Sequence, residues 1–141
     1  MADQVLLLSI KERWVSLILS GRKTVELRTK PPKIGGPTPT LIYQSGDGGC
    51  LRAGCKMGPI ISDSPERLWE RVGVRSCVPE GEFGSYFEGR KTAYALEIAA
   101  VSGLSRPIPL DELRQEAGFT APQGCVWAPQ RLLDFLATVK R

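Results

Sequence analysis

The chain has 141 residues, of which 42% are hydrophobic and 24% charged, and it carries a formal net charge of +4. These values are typical of one globular domain that buries its own core, and they exclude a disordered chain. The apolar runs are far shorter than the roughly 20 residues that cross a bilayer, and the run at residues 5–8 follows an acidic residue, unlike a signal peptide. We therefore expect one cytoplasmic domain over residues 1–141 with no membrane segment.

The chain contains no histidine, and its four cysteines form no CxxC pair. The commonest general base and metal ligand are therefore missing. The cysteines are Cys50, Cys55, Cys77 and Cys125. Reduced, partly buried thiols are the simpler interpretation, and a zinc site with Cys50 and Cys55 as one half is the alternative. We predict no cofactor and no metal.

The excess positive charge is confined to one segment. Between Lys11 and Lys33 there are seven basic and two acidic residues, whereas residues 34–141 contain twelve of each, and Asp3 takes one charge back. A local excess of this kind attracts phosphates and steers anionic partners. An ordinary solvated basic surface gives the same pattern.

The first predicted elements are a strand and a helix. Residues 5–8 form an apolar run of strand character. Ser9 and Glu12 then match a capping box, which predicts a helix over residues 10–20, and Gly21 is placed to end that helix in the left-handed conformation. The apolar stripe of the helix consists of Trp14, Leu17 and Ile18, which favours core packing for Trp14.

The next predicted strand, residues 22–28, alternates with period two. Val25 and Leu27 lie on one face, and Thr24, Glu26 and Arg28 lie on the other. Two further strands, residues 40–45 and 50–61, flank a glycine-rich hairpin turn. Gly54 and Gly58 indicate bulges that bend the second of them.

The second half alternates short helices with one long strand. Ser64 as N-cap and Pro65 at the first helical position predict a helix that contains Leu68, Trp69 and Val72. Further helices are predicted over residues 82–87, 110–116 and 131–139, a strand over 92–101, and a loop with a brief strand over 122–127. Short, glycine-kinked strands interrupted by short helices predict an α+β barrel and not a doubly wound sheet.

Lys11 and the polar strand face are the candidate chemistry. A cation in the first helical turn costs about 0.3–1 kcal/mol, which a bound anion would offset; extension of Lys11 into water is the alternative. Glu26 can accept from amino groups, and Arg28 can grip phosphate through two bonds, although a structural Glu26–Arg28 network has the same spacing. If the strand runs antiparallel to the helix, the rise of about 1.5 Å per helical residue against about 3.3 Å per strand residue brings Arg28 level with Lys11. This arrangement predicts one shared anion site.

The segment from Gly21 to Arg28 resembles the GxKxxExR signature of ASCH domains. The resemblance runs from about Leu6 to Pro122 and includes further matching segments: Ser9-Ile10-Lys11, Tyr43-Gln44-Ser45, Leu68-Trp69 and residues 86–96. It implies a PUA-like mixed β-barrel with flanking short α-helices, RNA binding, and a role in regulating transcription or translation.

Some members of the family that the chain resembles are enzymes. One branch is an amidohydrolase that acts on N4-acetylcytidine, and other members are reported as ribonucleases. Lys23 matches the catalytic lysine of the amidohydrolase branch. Glu26, however, stands where that branch has a catalytic threonine, and no glutamate here matches its third catalytic residue.

The sequence thus predicts a module that binds single-stranded RNA or a nucleotide-like small molecule. The predicted ligand-binding residues are Lys11, Lys23, Thr24, Glu26, Arg28, Tyr43, Ser45 and Tyr94. Tyr43 and Tyr94 offer faces for base stacking, with core packing as the alternative. A small hydrolase with Lys23 and Glu26 as its catalytic residues is the first alternative function, and a protein-interaction module is the second.

Overall fold

The computed structural model describes residues 4–139, so Asp3 lies outside it. Within these residues there are six β-strands and five α-helices. The strands are β1 (Leu6–Lys11), β2 (Val25–Arg28), β3 (Thr38–Ser45), β4 (Cys50–Asp63), β5 (Ala93–Pro109) and β6 (Cys125–Trp127). The helices are α1 (Glu12–Leu19), α2 (Pro65–Ser76), α3 (Glu80–Tyr86), α4 (Leu110–Ala117) and α5 (Gln130–Thr138). None of these helices is long and apolar enough to cross a membrane.

All six strands belong to one mixed sheet in the order β2-β5-β4-β3-β1-β6. β1 runs parallel to β3, and the other neighbours are antiparallel. The sheet curls so that its ends approach each other: Arg28 on β2 donates a 3.2 Å hydrogen bond to the carbonyl oxygen of Ser9 on β1. The predicted α+β class is confirmed, in the form of a curled half-barrel with short helices around it.

Irregular pairing of β4 accounts for much of the curl. The β4–β5 register shifts between Gly54 and Lys56 and again between Met57 and Ile60. Gly58, in the second irregular stretch, has a φ of +114° that favours glycine. The bulges predicted from Gly54 and Gly58 are therefore present, and bulges increase strand bending and twist.

The helices cover three hydrophobic clusters. One lies inside the curl and includes Val15 and Ile18 of α1. A second lies between the outer face of β2 and helices α2 and α3, with Phe83 and Phe87 at its centre. The third contains Leu113 of α4 and holds the last helix on the sheet. Helix α2 thus packs on β2, the short strand at one end of the sheet, and α3 packs on α2, whereas α1 packs on β1, β3 and β5.

The capping box predicted at Ser9 is wrong. Residues 6–11 pair with 40–45 of β3, so the chain stays extended up to Lys11. The Ser9 hydroxyl donates to the carbonyl oxygen of Pro122. Helix α1 begins at Glu12 with Lys11 as its N-cap residue, and that cap has no side-chain hydrogen bond. Sheet pairing has therefore displaced the helix start by two residues and placed Lys11 just before the first turn.

Two strand lengths also differ from the prediction. β2 begins at Val25 because the amides of residues 23 and 24 donate outside the sheet, that of Lys23 to Leu17 and that of Thr24 to Arg75. β5 continues to Pro109, since β4 pairs with it from Asp63 to Cys50. The predicted left-handed Gly21 and the Ser64 cap of α2 are confirmed.

Candidate functional site

A cleft with a volume of about 420 Å³ opens along β2, between α1 and α3. The residues that line it are Lys11, Trp14, Lys23, Glu26, Leu27, Arg28, Val78, Glu82, Ser85 and Tyr86. The cleft therefore brings together four of the predicted site residues, which are Lys11, Lys23, Glu26 and Arg28. Its volume is within the range of pockets that bind small ligands.

Lys23 forms the floor of the cleft and is only 2% exposed. The chain reaches it through a tight turn after α1, in which Gly21 has a φ of +83° and the amide of Lys23 donates to the carbonyl oxygen of Leu17. The Lys23 ammonium donates a 2.7 Å hydrogen bond to the carbonyl oxygen of Ser76. Its Nζ also lies 3.7 Å from Oε1 of Glu26 and 4.8 Å from the centre of the Trp14 ring.

Burial lowers the pKa of Lys23 below its ordinary value, since removal of an ammonium from water disfavours the charged form. The carboxylate of Glu26 opposes this effect, as does the thiol of Cys77, whereas Arg28 adds to it. The result is an ammonium that is held by specific partners and yet releases its proton more readily than an exposed lysine does.

Glu26 lies between two cations and is only 7% exposed. Its Oε1 faces Lys23, and its Oε2 accepts a 2.9 Å hydrogen bond from Nη2 of Arg28. The same Nη2 donates to Ser9, across the open seam between β2 and β1. Nε of Arg28 is the one buried side-chain nitrogen or oxygen within residues 4–139 that lacks a hydrogen-bond partner. The guanidinium, which has five N–H donors, is thus not saturated by the protein.

The charges of the cleft do not balance. Lys11, Lys23 and Arg28 supply three positive charges against the carboxylates of Glu26 and Glu82. Glu82 is bound from outside the lining by Arg13, whose two terminal nitrogens lie 2.8 and 3.1 Å from its oxygens. One carboxylate, Glu26, therefore remains to offset three cations, and the cleft favours an anionic ligand.

Thr24 lies outside the cleft lining, contrary to the predicted polar row. Its hydroxyl accepts a 2.9 Å hydrogen bond from Nε of Arg75, and its amide donates a 2.9 Å bond to the carbonyl oxygen of Arg75. Arg75 also pairs with Glu97 on β5. Because β2 begins only at Val25, residue 24 escapes the alternation of the strand and turns toward the end of α2.

The two predicted tyrosines also lie outside the cleft lining. Tyr43 is 3% exposed and packs its ring against Phe119, with 5.2 Å between ring centres, so its face is closed to a ligand. Tyr94 is half-buried on β5 and pairs with Arg28 across the sheet. Ser45 pairs with Lys11 in the β1–β3 register and lines a neighbouring pocket that Lys11 also lines. Ser45 therefore lies beside the cleft, and Tyr43 belongs to the core.

The sequence interpretation missed the aromatic walls of the cleft. Trp14 does pack against the core, as its helical spacing predicted, but its ring also lines the cleft with Arg13 stacked 3.9 Å from the ring centre. Tyr86 ends α3 and is 45% exposed. The available signal for Tyr86 was an aromatic residue four positions after Glu82 in a short helix whose buried residue is Phe83.

The cysteines do not assemble a metal site within the described residues. All four are free thiols, and no group of three or more cysteine, aspartate or glutamate side chains in that part of the chain could hold an ion. Burial raises the pKa of Cys55 to about 12, and Glu26 adds to the effect. The zinc alternative based on Cys50 and Cys55 thus has no supporting ligand set.

Comparison with known proteins gives one family. Residues 8–106 match the model of the ASCH domain. A relative, the ASCH domain-containing ribonuclease of Zymomonas mobilis subsp. mobilis, is 29% identical over 121 residues, which cover 85% of this chain and 81% of that protein.

Solved structures agree with this match. The crystal structure of ASCH from Zymomonas mobilis superposes with a TM-score of 0.87 at 26% identity and covers 96% of this chain and 94% of that one. The N-terminal domain of Staphylothermus marinus McrB superposes with a TM-score of 0.58 at 11% identity over 98% of both chains, a likeness of fold alone.

Proposed function

The chain belongs to the ASCH domain family and has its PUA-like fold, and from this premise we propose that the cleft binds single-stranded RNA and cleaves it. Lys11 and Arg28 bind phosphate in this proposal, and Lys23 and Glu26 transfer protons. The observation that carries it is the unsaturated Arg28 guanidinium beside a buried Lys23–Glu26 pair in a cationic cleft.

The charge arrangement supports a phosphate ligand. Arg28 donates to Glu26 and Ser9 through Nη2 and keeps donors that the protein does not fill. A hydrogen bond from a charged guanidinium to a phosphate oxygen is stronger than one between neutral groups. Lys11 is exposed at the mouth of the same cleft and lies just before the positive end of α1. A phosphate between the two cations would satisfy both.

The paired groups at the floor support cleavage by an internal 2′-hydroxyl. Glu26 accepts the proton of the 2′-hydroxyl, the 2′-oxygen attacks phosphorus, and the bond from phosphorus to the 5′-oxygen breaks. Lys23 donates a proton to the departing 5′-oxygen, which its lowered pKa makes easier. The products are a 2′,3′-cyclic phosphate and a 5′-hydroxyl, and the proton taken up by Glu26 returns to Lys23, 3.7 Å away, before the next turnover.

The relative from Zymomonas mobilis adds support, because a protein that shares 29% identity over most of both chains is described as a ribonuclease. The regulatory role in transcription or translation that the resemblance implies stays a prediction. Binding of RNA in this cleft is compatible with that role and does not require it.

The test is incubation of a short single-stranded RNA containing all four bases with the wild type and with Lys23→Arg, followed by a denaturing gel. Arginine keeps the positive charge but does not release a proton near neutral pH. We expect RNA binding within a few-fold of wild type and cleavage slower by about 10²–10⁴-fold, the usual contribution of a general acid. Lys30→Arg, at an exposed lysine outside the cleft lining, is the matched control.

Two results would count against the proposal. Intact RNA with tight, salt-sensitive binding by the wild type would make the chain a binding module, the function first predicted from the sequence. If the wild type neither binds nor cleaves RNA, RNA is excluded as the ligand. That outcome would favour the second candidate, a hydrolase of an acylated nucleoside. The observation in favour of that candidate is the volume of the cleft, which suits one nucleoside.

An RNA with 2′-O-methyl groups, which lacks the attacking hydroxyl, should stay intact if the mechanism is right.

A further inference from the structure

Tyr86 presents an aromatic ring at the wall of the cleft. It is the last residue of α3 and is 45% exposed, although the next residue, Phe87, is 1% exposed in the core. The two rings meet edge to face with 4.8 Å between centres, and the Tyr86 hydroxyl lies 3.4 Å from the carbonyl oxygen of Leu27 on β2. The ring is therefore held in place without being covered.

The other aromatic residue in the cleft lining, Trp14, is already occupied. Arg13 lies 3.9 Å from the centre of its ring, and Lys23 lies 4.8 Å from it. A ligand ring would have to displace these cations to stack there. Tyr43 is closed by Phe119. Tyr86 is thus the aromatic side chain of the lining whose ring is open to a planar ligand.

We infer that the cleft takes one unstacked nucleotide at a time and that its base stacks on Tyr86. This inference rests on the proposed function, and it adds the form of the substrate. A volume of about 420 Å³ suits a single nucleotide. Stacking on an aromatic ring does not depend on the identity of the base, so the substrate class is unpaired RNA of any sequence.

The test is binding of an uncleavable pentanucleotide that lacks 2′-hydroxyls and of the same backbone without its five bases. Removal of a stacking ring commonly costs about 1–3 kcal/mol per base, which is about a 5- to 150-fold loss of affinity. We expect Tyr86→Ala to show such a loss with the base-bearing ligand and none with the baseless one. Tyr86→Phe, which keeps the ring, should bind like the wild type.

The matched control is Trp127→Ala, which removes an aromatic side chain of similar exposure, 41%, outside the cleft lining. Equal losses with both ligands in Tyr86→Ala would overturn the inference, as would equal cleavage of duplex and single-stranded RNA. Base-dependent binding through Tyr86 without any RNA cleavage would leave the inference standing and reject the proposed catalysis. If the wild type cleaves RNA and Tyr86→Ala leaves both binding and cleavage unchanged, the proposed catalysis stands and the stacking inference is rejected.

Discussion

The ammonium of Lys23 donates a 2.7 Å hydrogen bond to the carbonyl oxygen of Ser76, the last residue of α2. The next pair along the chain is joined as well, because the amide of Thr24 donates to the carbonyl oxygen of Arg75 and its hydroxyl accepts from Nε of Arg75. Two consecutive residues before β2 are thus bound to two consecutive residues at the end of α2. The negative end of the helix dipole also lies at the ammonium, so α2 both orients and stabilises charged Lys23.

Thr24→Val should therefore impair catalysis through the position of Lys23. It removes the hydroxyl that accepts from Arg75, and we expect the free energy of unfolding to fall by about 1 kcal/mol and RNA cleavage to slow by on the order of tenfold, because small displacements of catalytic groups are costly. Guanidinium chloride unfolding and single-turnover cleavage measure the two effects. Thr38→Val removes a comparable 2.9 Å hydrogen bond to Gly36, outside the cleft lining. If Thr38→Val slows cleavage equally, a positioning role for Thr24 is excluded.

Local patterns predicted most of the helices and strands, and they failed where pairing in the sheet decided the outcome. Ser9 and Glu12 do satisfy the spacing of a capping box, but the parallel partner β3 holds the chain extended through Lys11. Parallel pairing joins residues that are far apart in the sequence, so no local pattern predicts it. The same holds for the second half of β5, which is a strand because β4 is long enough to pair with it.

The charged part of the site was predictable, and its walls were not. Glu26 and Arg28 follow the alternation of β2, and Arg28 lines the same cleft as Lys11. Lys23 precedes the strand, so alternation does not give its direction. The choice between Tyr43 and Tyr86 depends on which ring the tertiary structure covers, and only the fold shows that Phe119 covers the first.

Lys11 and Arg28 should act on one phosphate. Both line the cleft, and Arg28 retains unfilled donors. If they share one anion, either single change to alanine removes most of the benefit, and the double variant should lose clearly less affinity for RNA than the two single losses combined. The slope of log affinity against log salt should fall by about one charge in the double variant. Titrations of the four proteins at several salt concentrations measure both quantities.

Strictly additive losses and a fall of two charges in the salt slope would assign Lys11 and Arg28 to separate phosphates. Lys30→Ala combined with Arg28→Ala provides the comparison, since Lys30 is exposed and outside the cleft lining. That pair should be additive. Coupling in the control pair equal to that of Lys11 and Arg28 would remove the argument for a shared site.

Cys55 should resist alkylation as long as the chain is folded. It is 7% exposed, and burial with the nearby Glu26 raises the pKa of its thiol to about 12. At pH 8 roughly one thiol in ten thousand is then ionised, and only the thiolate reacts. Iodoacetamide labelling followed by peptide mass spectrometry should find Cys55 modified in urea and unmodified in buffer. The half-buried Cys77 serves as the internal comparison, and native labelling of Cys55 at the unfolded rate would show that the curl opens.

Lys23 should make the folded state more stable as the pH rises. An unfolded lysine titrates near 10.5, and burial lowers the pKa in the folded state. Between the two values the unfolded chain binds more protons, so the free energy of unfolding increases with pH. Below the folded pKa the cost of burying the ammonium is present in full, and above 10.5 it is gone.

Urea unfolding of the wild type and of Lys23→Met from pH 7 to 11 isolates this effect, because the other groups titrate in both proteins. The free energy of unfolding of the wild type minus that of the variant should climb with pH and level off above pH 10.5. The total climb should be about 1.4 kcal/mol for each pH unit by which burial lowers the pKa of Lys23. Lys30→Met, at an exposed lysine, should give a flat difference. A flat or falling curve for Lys23→Met would mean that Glu26 and Ser76 compensate fully for burial. Lys23 would then release its proton no more readily than an exposed lysine, and its role as the acid in RNA cleavage would lose its physical basis.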